Sequence, residues 1–122
     1  MPITVERIDF ISVPSRDLER SREFYVEKLG LPFERDTPTG FEVKAGDVTL
    51  GVWDPTTADL PFVPTLNPPA LRVADVAQAR ADLEEAGVTF RGETIDTGVC
   101  HMAFFHDPDG NAIMLHRRYA PL

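Results

Sequence analysis

Cysteine is nearly missing from this chain: there is one, Cys100. A lone thiol cannot close an internal disulfide, which together with the rest of the composition favours a reducing cytoplasm. It lies between Val99 and His101 in a strand-like run, with no neighbour in sequence that would lower its pKa, and reads as a structural thiol. Basic residues are also scarce, 12 against 20 acidic ones, for a net charge of −8. That balance argues against nucleic acid and against an anionic membrane surface, since phosphate binding needs clustered Lys and Arg. No apolar run is long enough to span a bilayer. The opening Met1-Pro2-Ile3-Thr4 has no basic-then-apolar signal pattern. Gly-rich phosphate loops and Ser or Cys nucleophile signatures are missing as well.

What is present is an ordinary globular composition, 43% hydrophobic and 26% charged over 122 residues, which fits one domain spanning 1–122. Val5 to Val13 is β-branched and apolar enough for a strand. Asp17 can cap a helix from Leu18 to about Leu29, with Leu18, Ser21, Tyr25 and Leu29 on one face and Gly30 as its stop. Phe33-Glu34, Gly40 to Ala45 and Val48 to Trp53 follow as strands. After the Pro-rich stretch Pro55 to Pro69 the pattern recurs. A short strand runs from Ala70 to Val73. Asp75 caps a helix carrying Val76, Ala79, Leu83 and Ala86, with Gly87 as its stop. Strands then fall at Val88 to Arg91, Val99 to Phe105 and Asn111 to Arg117. The repeat, near 58 residues, argues for an α+β chain of two βαβββ modules, one at about 4–55 and one at about 68–118, joined by a linker at about 56–67.

The most specific segment is His106-Asp107-Pro108-Asp109-Gly110-Asn111 with the strand Ala112 to His116. Pro pre-sets a turn, Asp can bond its own backbone, and Gly supplies positive φ. With Ile8-Asp9-Phe10-Ile11, Asp17-Leu18-Glu19-Arg20-Ser21, Phe24-Tyr25 and Leu29-Gly30-Leu31, it resembles the vicinal oxygen chelate superfamily of glyoxalase, bleomycin-resistance and extradiol dioxygenase proteins. The resemblance implies a curved mixed sheet around a cleft, helices on the outer face, and a homodimer. It also implies that metal ligands should stand at Phe10, Gly51, Pro68 and Met114. None of these is a carboxylate or an imidazole, so no metal and no cofactor is expected.

Side chains alternate along a strand. Pairing His106 with Asn111 places Phe105 opposite Ala112, Ala103 opposite Met114, and His101 opposite His116. The ligand-binding lining expected on this register is Phe10, Ser12, Trp53, Ala103, Phe105, Met114 and His116, with His101 and His116 as candidate catalytic groups. The alternative is that these residues fill the cleft as core. Such a lining suits a small-molecule ligand, aromatic or cationic, held without a metal, as in sequestration of a metabolite or antibiotic. The competing expectation is a lyase, isomerase or dioxygenase-type enzyme using His101 and His116 or a metal held by unexpected donors.

Overall fold

The computed structural model describes residues 1–121. The chain divides into two compact units, Met1–Phe62 and Val63–Leu122, each a βαβββ module. In the first, β1 (Ile11–Pro14) leads into α1 (Leu18–Arg22), then β2 (Phe33–Thr37), β3 (Gly40–Ala45) and β4 (Val48–Trp53). The sheet order is β1-β4-β3-β2, with β1 parallel to β4 and the rest antiparallel. In the second, β5 (Ala70–Arg72), α2 (Val76–Glu85), β6 (Phe90–Asp96), β7 (Cys100–His106) and β8 (Ala112–Arg118) repeat the plan as β5-β8-β7-β6.

Both helices begin where a capping Asp predicts. Asp17 accepts from the Arg20 amide at 3.1 Å, and Asp75 from the Gln78 amide at 3.0 Å. The first helix does not remain α-helical to Leu29. It widens into a π-helix over Glu23–Lys28, closed by the Leu29 amide on the Phe24 carbonyl. That wider turn directs both Phe24 and Tyr25 into the core, edge to face at 5.2 Å. Val13, Phe41, Val43, Leu50 and Val52 complete the core of the first module, and Val76, Leu83, Phe90, Ala103, Phe105, Ile113 and Leu115 form that of the second.

Two expectations are corrected. The first strand is Ile11–Pro14, not Val5 to Val13; residues 1–10 pair with no strand, and Ile3, Val5 and Ile8 are exposed. β-Propensity alone does not make a strand without a partner ladder. The second correction concerns the closing hairpin. His106 pairs with Ala112, Phe105 with Ile113, Phe104 with Met114, Ala103 with Leu115, Met102 with His116 and His101 with Arg117. The expected register was one residue off, and a slip of one sends every side chain of a strand to the other face.

The cause lies in the turn. Asp107 and Asn111 close it, with the Asp107 amide on the Asn111 carbonyl at 2.9 Å. One carboxylate oxygen of Asp107 accepts the Asp109 and Asn111 amides, both at 2.9 Å, and the other accepts the Asn111 side-chain NH2 at 2.7 Å. Gly110 takes φ +88°. The Asn111 side-chain oxygen accepts the Thr65 amide at 2.9 Å, and the Ala112 amide bonds the Thr65 carbonyl, so the incoming linker is fastened to the same turn. Asp107, Asp109 and Asn111 are all buried.

Candidate functional site

In the first module, alternation leaves Ser12, Glu42, Gly51 and Trp53 on the sheet face opposite the core. Ser12 and Glu42 both flank Gly51 in register, and Trp53 lies beside Gly40. Gly40 has no alternative: a Cβ there would collide with the Val52 carbonyl oxygen. Gly51 is different. A Cβ would meet the Phe10 ring at 3.5 Å, an ordinary contact, so the glycine leaves room rather than relieving a clash. Phe10, Ser12, Thr37, Thr39, Phe41, Glu42, Gly51, Val52 and Trp53 thus enclose a cavity of 350 Å³. That volume lies in the range of small-molecule sites, and the walls combine aromatic surface with a few polar groups.

Glu42 is the charged group of this cavity. Arg35 donates to it at 2.6 Å, and this bond, followed by the charge of Glu42, pushes the guanidinium up from its ordinary value. One carboxylate oxygen is thereby held in place while the other keeps acceptor capacity. A neighbouring hollow bounded by Arg7, Asp9, Glu34 and Lys44 is mostly charge already paired, Arg7 with Asp9 at 3.0 Å and Lys44 with Glu34 at 3.3 Å.

Three of the expected lining residues, Phe10, Ser12 and Trp53, come together in this cavity. Thr37, Thr39 and Glu42 join them and were not anticipated. Glu42 was discoverable, since it alternates with the apolar Phe41 and Val43 and must face away from them. The second-module candidates fare differently. Ala103 and Phe105 are buried in the core beside Ile113 and Leu115, not on the face of Met114. Met114 and His116 do share the outer face, next to Phe104 and Met102.

His101 does not face His116. Its Nε2 is 3.4 Å from Asp96 and its ring lies 4.7 Å from that of Tyr119. Asp96 also accepts the Gly98 amide at 2.8 Å and the Tyr119 hydroxyl at 2.7 Å. Those two bonds, the backbone one first, hold its carboxyl below the usual aspartate value, and the same contact pushes the Tyr119 phenol up. The expected acid–base pair of two imidazoles is therefore not formed, because the two rings stand on opposite faces of the β7–β8 ladder.

Of the four positions that the resemblance implies for metal ligands, Phe10 and Gly51 lie side by side in the first module. In the second, Pro68 closely precedes Ala70, which pairs with Met114. An aromatic ring, a hydrogen, a pyrrolidine and a thioether do not fit a hard or borderline cation. Among the described residues no three His, Cys, Asp or Glu side chains converge on one point. No helix of the described residues is long and apolar enough to cross a membrane.

A model of the glyoxalase/bleomycin resistance protein/dioxygenase superfamily matches residues 7–115. Among solved structures, TnmS3, an antibiotic binding protein from Streptomyces sp. CB03234, is 31% identical, with 96% of this chain and 99% of that one covered at a TM-score of 0.78. A glyoxalase/bleomycin resistance protein from the same organism is 32% identical over 91% of this chain and all of that one, TM-score 0.72. A superfamily member from Sphaerobacter thermophilus shares the fold at 22% identity and TM-score 0.77, with 92% and 97% covered. No curated protein matches significantly.

Proposed function

The chain belongs to the glyoxalase/bleomycin resistance protein/dioxygenase superfamily, and on that premise we propose that it binds a small, partly aromatic molecule in the first-module cavity without a metal ion. The observation that carries this reading is the convergence of Phe10 and Trp53 with Ser12, Thr37, Thr39 and Glu42 around 350 Å³ of space floored by a glycine. Aromatic walls favour a flat apolar body, and three hydroxyls and a carboxylate supply acceptors and donors along its edge. A cationic ligand gains from the free acceptor capacity of Glu42 and from the net charge of −8. Binding of this kind needs affinity and no chemistry, which is what sequestration of a metabolite or antibiotic requires. The 31% identical antibiotic binding protein lends support to that role.

The same reading takes the protein as cytoplasmic and as a homodimer. Ile3, Val5 and Ile8 lie exposed along the first ten residues, an apolar edge that a second copy would cover. Light scattering on a size-exclusion column tests this directly, and a monomer at all concentrations refutes it.

Trp53 is the chain's one tryptophan, so its indole N–H resonance reports on the cavity alone. A panel of planar aromatic molecules, proflavine as a cation and 2-naphthol as a neutral member among them, is titrated while that resonance and the binding heat are followed. At least one should bind saturably and shift it. Gly51→Leu, which fills the floor, should abolish the binding and leave the fold intact. Chelator should change neither the affinity nor the melting temperature. A panel without saturable binders, unchanged binding by Gly51→Leu, or a melting temperature lowered by chelator each refutes the proposal.

A further inference from the structure

Soft donor atoms are grouped on one sheet face of the second module. Met102 of β7 and His116 of β8 are direct antiparallel partners, and one step along the same face Phe104 pairs with Met114. Alternation sets all four side chains on that face, and all four are half-buried. Partners across an antiparallel ladder stand about 5 Å apart, and residues two apart on one strand about 7 Å. The four therefore mark the corners of a small square that holds two thioethers, an imidazole and an aromatic ring.

A methionine side chain is unbranched and flexible, and its sulfur is polarisable, so the two thioethers can swing to a common point beside the imidazole. Thioether sulfur selects soft ions, Cu(I) above all, and imidazole nitrogen also suits copper. The thioether that disqualifies Met114 for a hard or borderline cation thus qualifies it for a soft one. At the fourth corner Phe104 offers a ring face to a cation and excludes water from one side of it. His116 is available for this role, since its side chain makes no hydrogen bond or ion pair among the described residues. His101, by contrast, stands 3.4 Å from Asp96.

The flanks of the square favour a monovalent ion. On β5, Arg72 pairs with His116 and Ala70 with Met114. On β6, Arg91 pairs with Phe104 and Ile95 with Met102. These register neighbours include two guanidiniums and no carboxylate. Their repulsion scales with the charge of the ion, and is twice as large for Zn(II) as for Cu(I). Glu93 lies in the bulge between Arg91 and Ile95 and has no register partner on β7. That bulge is fixed from outside the sheet: Gly92 takes φ +64°, and Arg80 of α2 donates to the Gly92 carbonyl at 2.9 Å and to the Thr94 hydroxyl at 3.1 Å. Arg80 also rests 4.9 Å from the centre of the Phe90 ring. On the rung beyond His116, Arg118 pairs with Cys100, and its guanidinium is engaged by the Ala120 and Pro121 carbonyls, both at 3.1 Å.

We propose that Met102, Met114 and His116 form a binding site for a soft monovalent metal ion, Cu(I), capped by Phe104. The proposal does not rest on the first-module reading, since none of the four residues lines that cavity.

The test supplies Cu(I), as its acetonitrile complex and without oxygen, to the ion-free full chain, with bicinchoninate as the competing chelator. The chain has three methionines, so labelling their methyl carbons gives three signals. One equivalent of Cu(I) should shift those of Met102 and Met114 and leave that of Met1 in place. Cys100→Ser, which removes the neighbouring thiol, should bind with the same stoichiometry. Met102→Leu and Met114→Leu nearly conserve volume, and each should weaken binding about tenfold or more, as should His116→Gln. Zn(II) should neither move the two methyl signals nor displace Cu(I). The proposal is overturned if the two signals do not shift saturably, or if Cys100→Ser abolishes binding, which would leave the thiol as the ligand. Unchanged affinity in both Met→Leu variants, or an equal response to Zn(II), overturns it as well.

Discussion

Asp107 is the residue whose replacement should cost the fold most for its size. Its carboxylate is the acceptor for three donors, the Asp109 amide, the Asn111 amide and the Asn111 side-chain NH2, at 2.9, 2.9 and 2.7 Å. All three residues are buried. Hydrogen bonds to a charged group contribute ~1.5–3 kcal/mol each, and a buried donor left without an acceptor costs a similar amount. Water entering at the turn recovers part of this, so Asp107→Ala is expected to lose ~3–5 kcal/mol, a large share of a typical domain's stability. Asp107→Asn is more informative. Its remaining oxygen still accepts both backbone amides, but its new NH2 faces the NH2 of Asn111. Asn111 cannot turn over, because its own oxygen accepts the Thr65 amide at 2.9 Å. The loss should be ~1.5–2.5 kcal/mol. Asn111→Asp sets two carboxylates against each other, and its stability should improve as the pH falls and one of them takes up a proton. The double change Asp107→Asn with Asn111→Asp restores every bond with the roles exchanged. Urea denaturation of the four proteins closes a double-mutant cycle, and a favourable coupling of ~2 kcal/mol or more is expected at neutral pH. Additive losses would show that the side-chain pair does not set the turn.

Two further outcomes follow from the second module. Asp96 has a depressed folded pKa, owing first to the Gly98 amide and then to the Tyr119 hydroxyl. Its contribution to stability is therefore complete above the ordinary value of 3.8 and is lost as the pH falls below it. Tyr119→Phe should flatten the acid limb of a stability–pH profile, and an unchanged limb counts against the contact. Arg80→Ala removes two bonds to the bulge and the cover over Phe90, and should cost ~1–2 kcal/mol. Amide exchange should then speed up locally over residues 92–95, and a uniform acceleration across the module would show that Arg80 supports the core instead.

The helix starts, the two-module plan and most strand positions were legible because each rests on local chemistry. Asp17 and Asp75 cap by bonding an amide three residues on, and Gly30 and Gly87 take positive φ where each helix ends. The π-helix at Glu23–Lys28 was hidden because Phe24 and Tyr25 are adjacent and a regular α-helical stripe accommodates only one of them squarely. The bulge after Arg91 was hidden for another reason. It is fixed by Arg80, a residue of the preceding helix, and no strand pattern encodes a partner at that distance.

The hairpin register shows how a small local choice decides the chemistry of a site. The motif itself was correctly read as a turn; what periodicity could not show is which pair closes it. Closing at Asp107 and Asn111 requires the carboxylate to take three donors at once, a cooperative arrangement visible only when the loop is folded. From that one choice the face of every residue on β7 follows. Ala103 and Phe105 enter the core, while Phe104 and His106 turn outward toward Arg91. The outer face of the second module thereby changes from the expected Ala103, Phe105 and Met114 with two facing imidazoles to Met102, Phe104 and Met114, with Arg91 paired beside Phe104. The positions that the resemblance implies for metal ligands, Phe10, Gly51, Pro68 and Met114, are untouched by this shift, since Met114 faces outward in either register. Which residues occupy those four positions and how the five-residue turn closes are therefore separate features of the sequence.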